Sequence, residues 1–111
     1  MPEPTLTQVF GANATQSAAN ITIAKSDLAT VGLTASANNT AESLIVAIIL
    51  LAGSYLKTAN QTNVNTDIQV TIDDSGFPQL VSRNSAQWRQ VTYNVNLQTL
   101  DIGFSIDPDN Y

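Results

Sequence analysis

Residues 40–57 read TAESLIVAIILLAGSYLK and form the only long apolar run in a chain that is otherwise rich in Asn and Thr. Asn39 or Thr40 is suited to the N-cap, and Glu42 lies in the first turn, where a carboxylate faces the positive end of the helix dipole. Lys57 faces the negative end. The stretch therefore predicts a helix that begins near Thr40 and ends near Lys57.

The predicted helix has no charged face, so it must be enclosed almost all round. At about 100° per residue its side chains fall into two stripes. We expect the sheet to cover the stripe that carries Ile45, Ile49, Ala52 and Leu56. The opposite side is rich in small residues, which allow close backbone approach. It predicts a homo-oligomer, with a trimer as one such form, in which the interface between copies is made by Ala47, Leu50, Gly53 and Ser54.

The length of the apolar run argues against a membrane span. Its uninterrupted part, residues 44–52, is well below the roughly 20 residues that cross a bilayer. Charged or polar side chains flank it on both sides. We therefore expect a core helix and no membrane partner.

Composition limits the function classes further. The chain has 111 residues, which corresponds to one domain, and it contains neither Cys nor His. The usual transition-metal ligands and the commonest general base are thus missing, as are Ser-His and Cys-His nucleophile pairs. The net charge of −5 includes only four basic residues, too few for a patch that follows a phosphate backbone. We expect no enzyme, no cofactor and no nucleic-acid partner.

The N-terminal residues differ in character from the rest. Pro2 and Pro4 favour extended backbone, and residues 11–20 are small and polar with no period, so we predict that residues 1–20 form an extended N-terminal arm. Residues 21–111 would form a single α+β domain. The apolar residues of the arm are predicted to bind a partner, and they are Leu6, Val9 and Phe10. A short strand at 21–23 and a helical turn stopped by Gly32 are expected before the long helix.

After the helix the hydrophobic pattern changes to period two, which is typical of strands with one buried face. The alternating segments are 68–72, 80–81, 91–97 and 100–106. A turn at 73–76 predicts a hairpin between the first two. The parity of the apolar positions switches near Gln98, which predicts a turn or bulge there. We expect an α+β fold, with one apolar helix packed on an antiparallel sheet of three to four strands.

Five aspartates could either bind a metal ion or form turns. They are Asp67, Asp73, Asp74, Asp107 and Asp109. Their spacing fits no complete calcium loop, and Asp is common in turns, so turn formation is the favoured interpretation.

Aromatic residues supply the remaining candidates. Trp88 and Arg89 are residue types that dominate protein interfaces, and Tyr111 is a second aromatic candidate. We predict partner binding by these three residues. Two alternatives stay open: Trp88 is buried against the sheet, or Trp88 and Tyr111 form a sugar-stacking platform in a carbohydrate-binding or adhesin-like module.

The order of segments carries a family resemblance. Leu6–Ala12 is followed by Ile21–Ile23, by Lys25–Leu28, by a helix introduced by Asn-Thr-Ala-Glu, and by the ending Asp107–Asp109. In this order the chain resembles small virion structural proteins of cyanobacterial tailed phages and their prophage relatives. The resemblance implies a capsid cement or decoration protein, or a neck or tail component, located in the virion. It would bind major capsid or other virion proteins, with no cofactor and no active site.

Overall fold

The structure is a computed structural model that describes residues 3–61, 67–99 and 106–111. Within these residues the helices are α1 (Leu6–Phe10), α2 (Lys25–Leu28), α3 (Ala41–Tyr55) and α4 (Thr58–Gln61). The strands are β1 (Thr15–Gln16), β2 (Ile21–Thr22), β3 (Val70–Asp74), β4 (Gln79–Arg83), β5 (Ala86–Gln90) and β6 (Tyr93–Leu97). The predicted α+β class, with one long helix on a small sheet, is confirmed.

The long predicted helix corresponds to α3. Thr40 is its N-cap, and the Thr40 hydroxyl accepts a hydrogen bond from the Ser43 amide at 3.1 Å. Asn39 is not the N-cap. Its side chain accepts a hydrogen bond from the Ser36 amide and donates one to the Thr34 carbonyl in the preceding loop. Lys57 lies just beyond the helix. The predicted bounds are confirmed to within two residues.

The prediction of an extended arm is wrong for residues 6–10, which form α1. Thr5 and Gln8 make a capping box: the Gln8 amide donates to the Thr5 hydroxyl at 3.2 Å, and the Thr5 amide donates to Gln8 Oε1 at 2.9 Å. The extended bias of Pro4 acts on the residues before the cap. α1 packs along α3 and buries Val9.

A tight contact holds the loop after α1. The Asp27 carboxylate accepts hydrogen bonds from the Asn13 amide at 2.9 Å and from Asn13 Nδ2 at 3.2 Å. Gly11 adopts φ +100, and a Cβ there would lie 2.5 Å from the Cβ of Asp27. The 3₁₀ turn after α2 ends at Gly32, whose φ is +109, as predicted.

Strand pairing departs from the prediction. β3 pairs antiparallel with β6, with Ile72 opposite Val95, whereas β4 pairs with β5. The predicted hairpin between β3 and β4 is therefore wrong. Asn84 and Ser85, with φ 52 and 62, form a local two-residue turn that joins β4 to β5 instead.

The predicted sheet of three to four strands is also corrected. Among the described residues β3–β6, β4–β5 and β1–β2 each form a two-stranded sheet. The short strand expected at 21–23 is present as β2. The expected strand at 100–106 lies outside the described residues except for its last position.

The contact between α3 and β3 is close. A Cβ at Gly53 would meet the Ile72 carbonyl oxygen at 3.2 Å, and the Ile72 amide donates to the Leu56 carbonyl at 2.8 Å. Thr58, at the start of α4, donates its amide (3.1 Å) and its hydroxyl (2.6 Å) to the Asp73 carboxylate. Helices α3 and α4 therefore both contact strand β3.

The core that results is small. The buried residues of the described ranges are Val9, Ala14, Leu28, Ala47, Ala52, Ile68 and Thr71. The radius of gyration is 16.2 Å, against about 13 Å for a compact chain of this length. The molecule is elongated and leaves much apolar surface outside the core.

Candidate functional site

The long helix is poorly covered by its own chain. Only Ala47 and Ala52 of the 15 residues in α3 are buried. Ile45 is 50% exposed and Val46 is 55% exposed. The expectation that an all-apolar helix is enclosed is therefore not met by the described part of one chain.

Beside the helix runs an apolar depression that we call the α3–β6 groove. It consists of two adjoining cavities of about 270 and 230 Å³ that share Ile49, Leu50 and Tyr93. Its apolar lining is Val46, Ile49, Leu50, Ile72, Val91 and Tyr93. Val95 lies on the same face of the sheet as Ile72 and is 57% exposed. The groove therefore continues onto an uncovered strand.

The groove carries acidic side chains near both ends. Glu42 lines the surface next to Val46 and Leu50, one turn of α3 before the groove. Asp74 lines the groove at the end of β3, and its Oδ1 accepts a hydrogen bond from the Gly76 amide at 2.9 Å. Lys57 is the one basic residue among the described residues that line it.

A second surface protrudes from the body. We call residues 77–90 the β4–β5 hairpin; apart from each other, its strands do not pack extensively on any described element. Phe77 is 87% exposed, Leu80 69% and Trp88 45%. At its base the Ser75 amide donates to the Thr92 carbonyl at 2.9 Å, which closes the loop from which the hairpin emerges.

Side chains on the hairpin are arranged by the strand register. Trp88 lies opposite Val81, and Arg89 lies opposite Leu80 on the other face. The Arg83 guanidinium stands 4.3 Å from the centroid of the Trp88 ring, and Trp88 Nε1 donates to the Arg83 carbonyl at 3.1 Å. One face of the ring is thus taken by a cation–π contact.

The hairpin also differs from the rest in charge. Both arginines of the chain lie in it and no acidic residue does, so it carries +2. The remaining residues contain two lysines and nine acidic residues, and so carry −7. A positive, partly apolar protrusion is attached to a strongly negative body.

The residues predicted to bind a partner have different fates. Val9 is buried in the core, so the prediction is wrong for Val9, because α1 turns this side chain towards its own domain. Leu6 and Phe10 are half-buried on α1. Tyr111 is half-buried, lining a small cavity together with Pro4. Trp88 and Arg89 are exposed as expected, but on opposite faces of the hairpin.

The predicted division of α3 into two sides needs correction. Ala47 is only 4% exposed, since the chain from Val31 to Leu33 lies beside it, so it is not free for a neighbouring copy. The close approach predicted at Gly53 is confirmed, but β3 of the same chain makes it. Leu50 and Ser54 do line the groove. Ile45, expected under the sheet, faces outward because the sheet covers only one flank of α3.

Turn and cap formation by the aspartates is confirmed at three positions. Asp73 caps α4, Asp74 closes a turn, and Asp107 Oδ1 accepts from the Asp109 amide at 3.0 Å. Among the described residues no three acidic side chains converge as a metal site. Sequence reasoning predicted a strand at 80–81 and selected Trp88 and Arg89, but it missed the pairing of β4 with β5. The two strands carry mostly polar residues, and the local signal for the hairpin is the turn at Asn84.

Helices α3 and α4 together form a segment long enough to be considered as a membrane span. Ala41–Gln61 spans 21 residues with mean hydropathy 1.5, long and apolar enough to cross a membrane by length and composition alone. One such segment is weak evidence for a membrane span, since core helices of soluble proteins pass the same test. Core helices are mostly buried, however, whereas only 11% of this segment is buried. The helix is interrupted at Leu56, and the 15 residues of α3 extend only about 23 Å, short of a hydrocarbon core of about 30 Å.

Comparison of the chain with protein-family models, with curated proteins and with solved structures finds no match. The function must therefore be argued from the groove and the hairpin.

Proposed function

We propose that this chain is a non-enzymatic structural protein that assembles as a homo-oligomer in a phage particle, most concretely as a capsid cement or decoration protein bound to the shell. The observation that carries the proposal is the exposure of α3. Ile45 and Val46 stand half in water on a helix that has no charged face. A surface of this kind is typical of a protein interface.

The free energy of association can be estimated from the apolar surface that the contact would bury. Full burial of one aliphatic side chain stabilises by about 1.5–3 kcal/mol, so covering the exposed half of one contributes about 1 kcal/mol. Several such side chains lie on α3 and β6, among them Ile45, Val46 and Val95. Association costs at least about 4 kcal/mol. A stable contact must therefore also bury other exposed apolar side chains, such as Val91, Tyr93 and Leu97.

Placement in a virion is supported by the family resemblance in segment order. A structural role in a virion also suits a chain that has no His or Cys and that exposes apolar side chains on its described surfaces. A neck or tail component fits the same observations. The carbohydrate-binding alternative has less support, because Arg83 occupies one face of Trp88 and Tyr111 lies half-buried on a different element.

Light scattering behind size exclusion tests the oligomer. We expect a mass above that of one 11.8 kDa chain, and we expect Val46→Glu to shift it towards the monomer. Ala37→Glu adds the same charge at an exposed loop position and is the matched control. A wild-type monomer up to about 100 µM would contradict the proposal, since a functional oligomer needs micromolar affinity or better.

Particle binding requires a second experiment. Genes for capsid or tail proteins beside this one would identify the particle, and the purified chain should co-sediment with it. Absence of co-sedimentation, together with flotation of the chain on phosphatidylcholine vesicles, would instead favour a membrane surface as the occupant of α3.

A further inference from the structure

We infer that the β4–β5 hairpin of one copy docks in the α3–β6 groove of a second copy. The inference rests on the proposed homo-oligomer and names the contact that forms it. It commits to a second copy of this chain as the occupant. Three matches between the two surfaces support it: length, apolar character and charge.

The lengths agree. A strand of five residues, such as β4 or β5, extends about 17 Å. The part of α3 that borders the groove, from Val46 to the end of the helix at Tyr55, covers about 14 Å at 1.5 Å per residue, and Lys57 lines the groove just beyond it. The hairpin can therefore lie along the whole groove.

Both surfaces are uncovered within the described residues, and each exposes apolar side chains. Leu80 projects from the face of the hairpin that also carries Arg89. The groove offers a lining of aliphatic side chains and the ring of Tyr93. Docking with this face inward removes Leu80 from water and covers Val46.

Charge favours a hairpin docked in the groove over a contact between the grooves of two copies. The Arg89 side chain has no partner among the described residues, and Glu42 and Asp74 lie near the two ends of the groove. If two grooves met face to face, two bodies that each carry a charge of −7 would be brought together, which is unfavourable. The hairpin, with charge +2, brings the opposite sign to the groove.

Backbone groups add a further element. Among the described strands β6 pairs with β3 alone, and β4 and β5 pair only with each other, so no other described strand occupies the outer edges of β4, β5 and β6. An open edge readily accepts another strand. Because the donor and acceptor surfaces differ, the contact is heterologous, and it forms a ring where the rotation between successive copies closes. A trimer is the smallest such ring beyond the dimer.

Cysteine cross-linking gives the first test, and the absence of native cysteine makes it clean. Leu80→Cys and Val46→Cys chains, carrying different tags, are mixed and oxidised. We expect a disulfide-linked heterodimer in at least about tenfold greater yield than from Leu80→Cys with Ala19→Cys, an exposed position away from the groove. Equal yields would overturn the inference.

Charge reversal gives the second test. Arg89→Glu should raise the dissociation constant at least about tenfold, a loss expected for a paired charge at an interface. Reversal of Glu42 and Asp74 to Arg in the same chain should restore it. Lys25→Glu makes the same charge change outside both surfaces and should leave assembly unchanged.

Replacement of residues 77–90 by Asn-Gly, which keeps Val91 of the groove, is the third test, with circular dichroism as the check on folding. We expect a folded monomer. If the wild type is oligomeric but all these variants assemble normally, only the docking inference fails. If the wild type is itself monomeric, the proposed function fails too, and protection of the Val46→Cys thiol from alkylation would assign the groove to the chain's own residues.

Discussion

Gly53 of α3 lies so close to Ile72 of β3 that a Cβ on the glycine would sit 3.2 Å from the isoleucine carbonyl oxygen. Helix and strand therefore meet backbone to backbone. The same strand residue donates its amide to Leu56 at the end of the helix. This contact fixes the position of β3, and through its pairing that of β6, relative to α3.

Substitution of Gly53 by Val should lower the free energy of unfolding by about 1–3 kcal/mol, because the added γ carbons must displace the Ile72 backbone. Urea denaturation followed by circular dichroism measures it. Ser54→Val, at the exposed neighbouring position, should change stability by no more than about 0.5 kcal/mol. An equally mild effect at Gly53 would show that the strand can move away from the helix.

Gly11→Ala should destabilise by about 3 kcal/mol. The new methyl group collides with the Asp27 side chain, and the backbone keeps a positive φ of +100. Gly32→Ala is the matched control, since Gly32 also has a positive φ but nothing lies within 4 Å of its added Cβ. Only the backbone cost of about 1 kcal/mol is expected there. Thermal denaturation of both variants measures the difference.

Asp73→Ala should destabilise by about 1–2 kcal/mol, because Thr58 loses the acceptor for both its amide and its hydroxyl. Asp67→Ala removes an exposed carboxylate with no hydrogen bond to a described residue, and it should be nearly neutral. Chemical denaturation compares the two. Equal stability of both variants would mean that water replaces the Asp73 carboxylate at α4 without loss.

Ser85→Gly should stabilise the β4–β5 hairpin by about 0.5–1 kcal/mol, since Ser85 has φ 62 and glycine suits the second position of such a turn. Near-ultraviolet circular dichroism of Trp88 during a thermal scan reports on the hairpin. Ser82→Gly, inside β4, should lower the same midpoint. A fall in the midpoint for Ser85→Gly would contradict the turn geometry.

Some parts of this fold were predictable because local chemistry decides them. The cap at Thr40, the apolar run behind it and the stop at Gly32 depend on neighbouring residues. The small residue at Gly53 correctly predicted a close backbone approach, but not which element makes it. Choosing between β3 and another subunit requires knowledge of where the strand lies.

Other parts depend on a choice between competing conformations or strand partners, and the sequence pattern does not show which of them is more stable. Pro4 favoured an extended start, whereas the capping box of Thr5 and Gln8 begins a helix directly after it. The pairing of β3 with β6 skips the nearer β4, because the tight turn at Asn84 gives β4 a closer partner. The interaction surfaces follow from that choice, so the groove could not be deduced from the alternating pattern alone.

The hydrogen bond between the Ser75 amide and the Thr92 carbonyl closes the loop below the hairpin, so residues 77–90 form a segment that can be exchanged while Val91 of the groove is kept. Strands β3 and β6 remain joined below it whatever this segment contains. Recognition can thus be altered by swapping one segment, without redesign of the body that presents it. A library of alternative tips on this scaffold would separate the sequence requirements of folding from those of assembly.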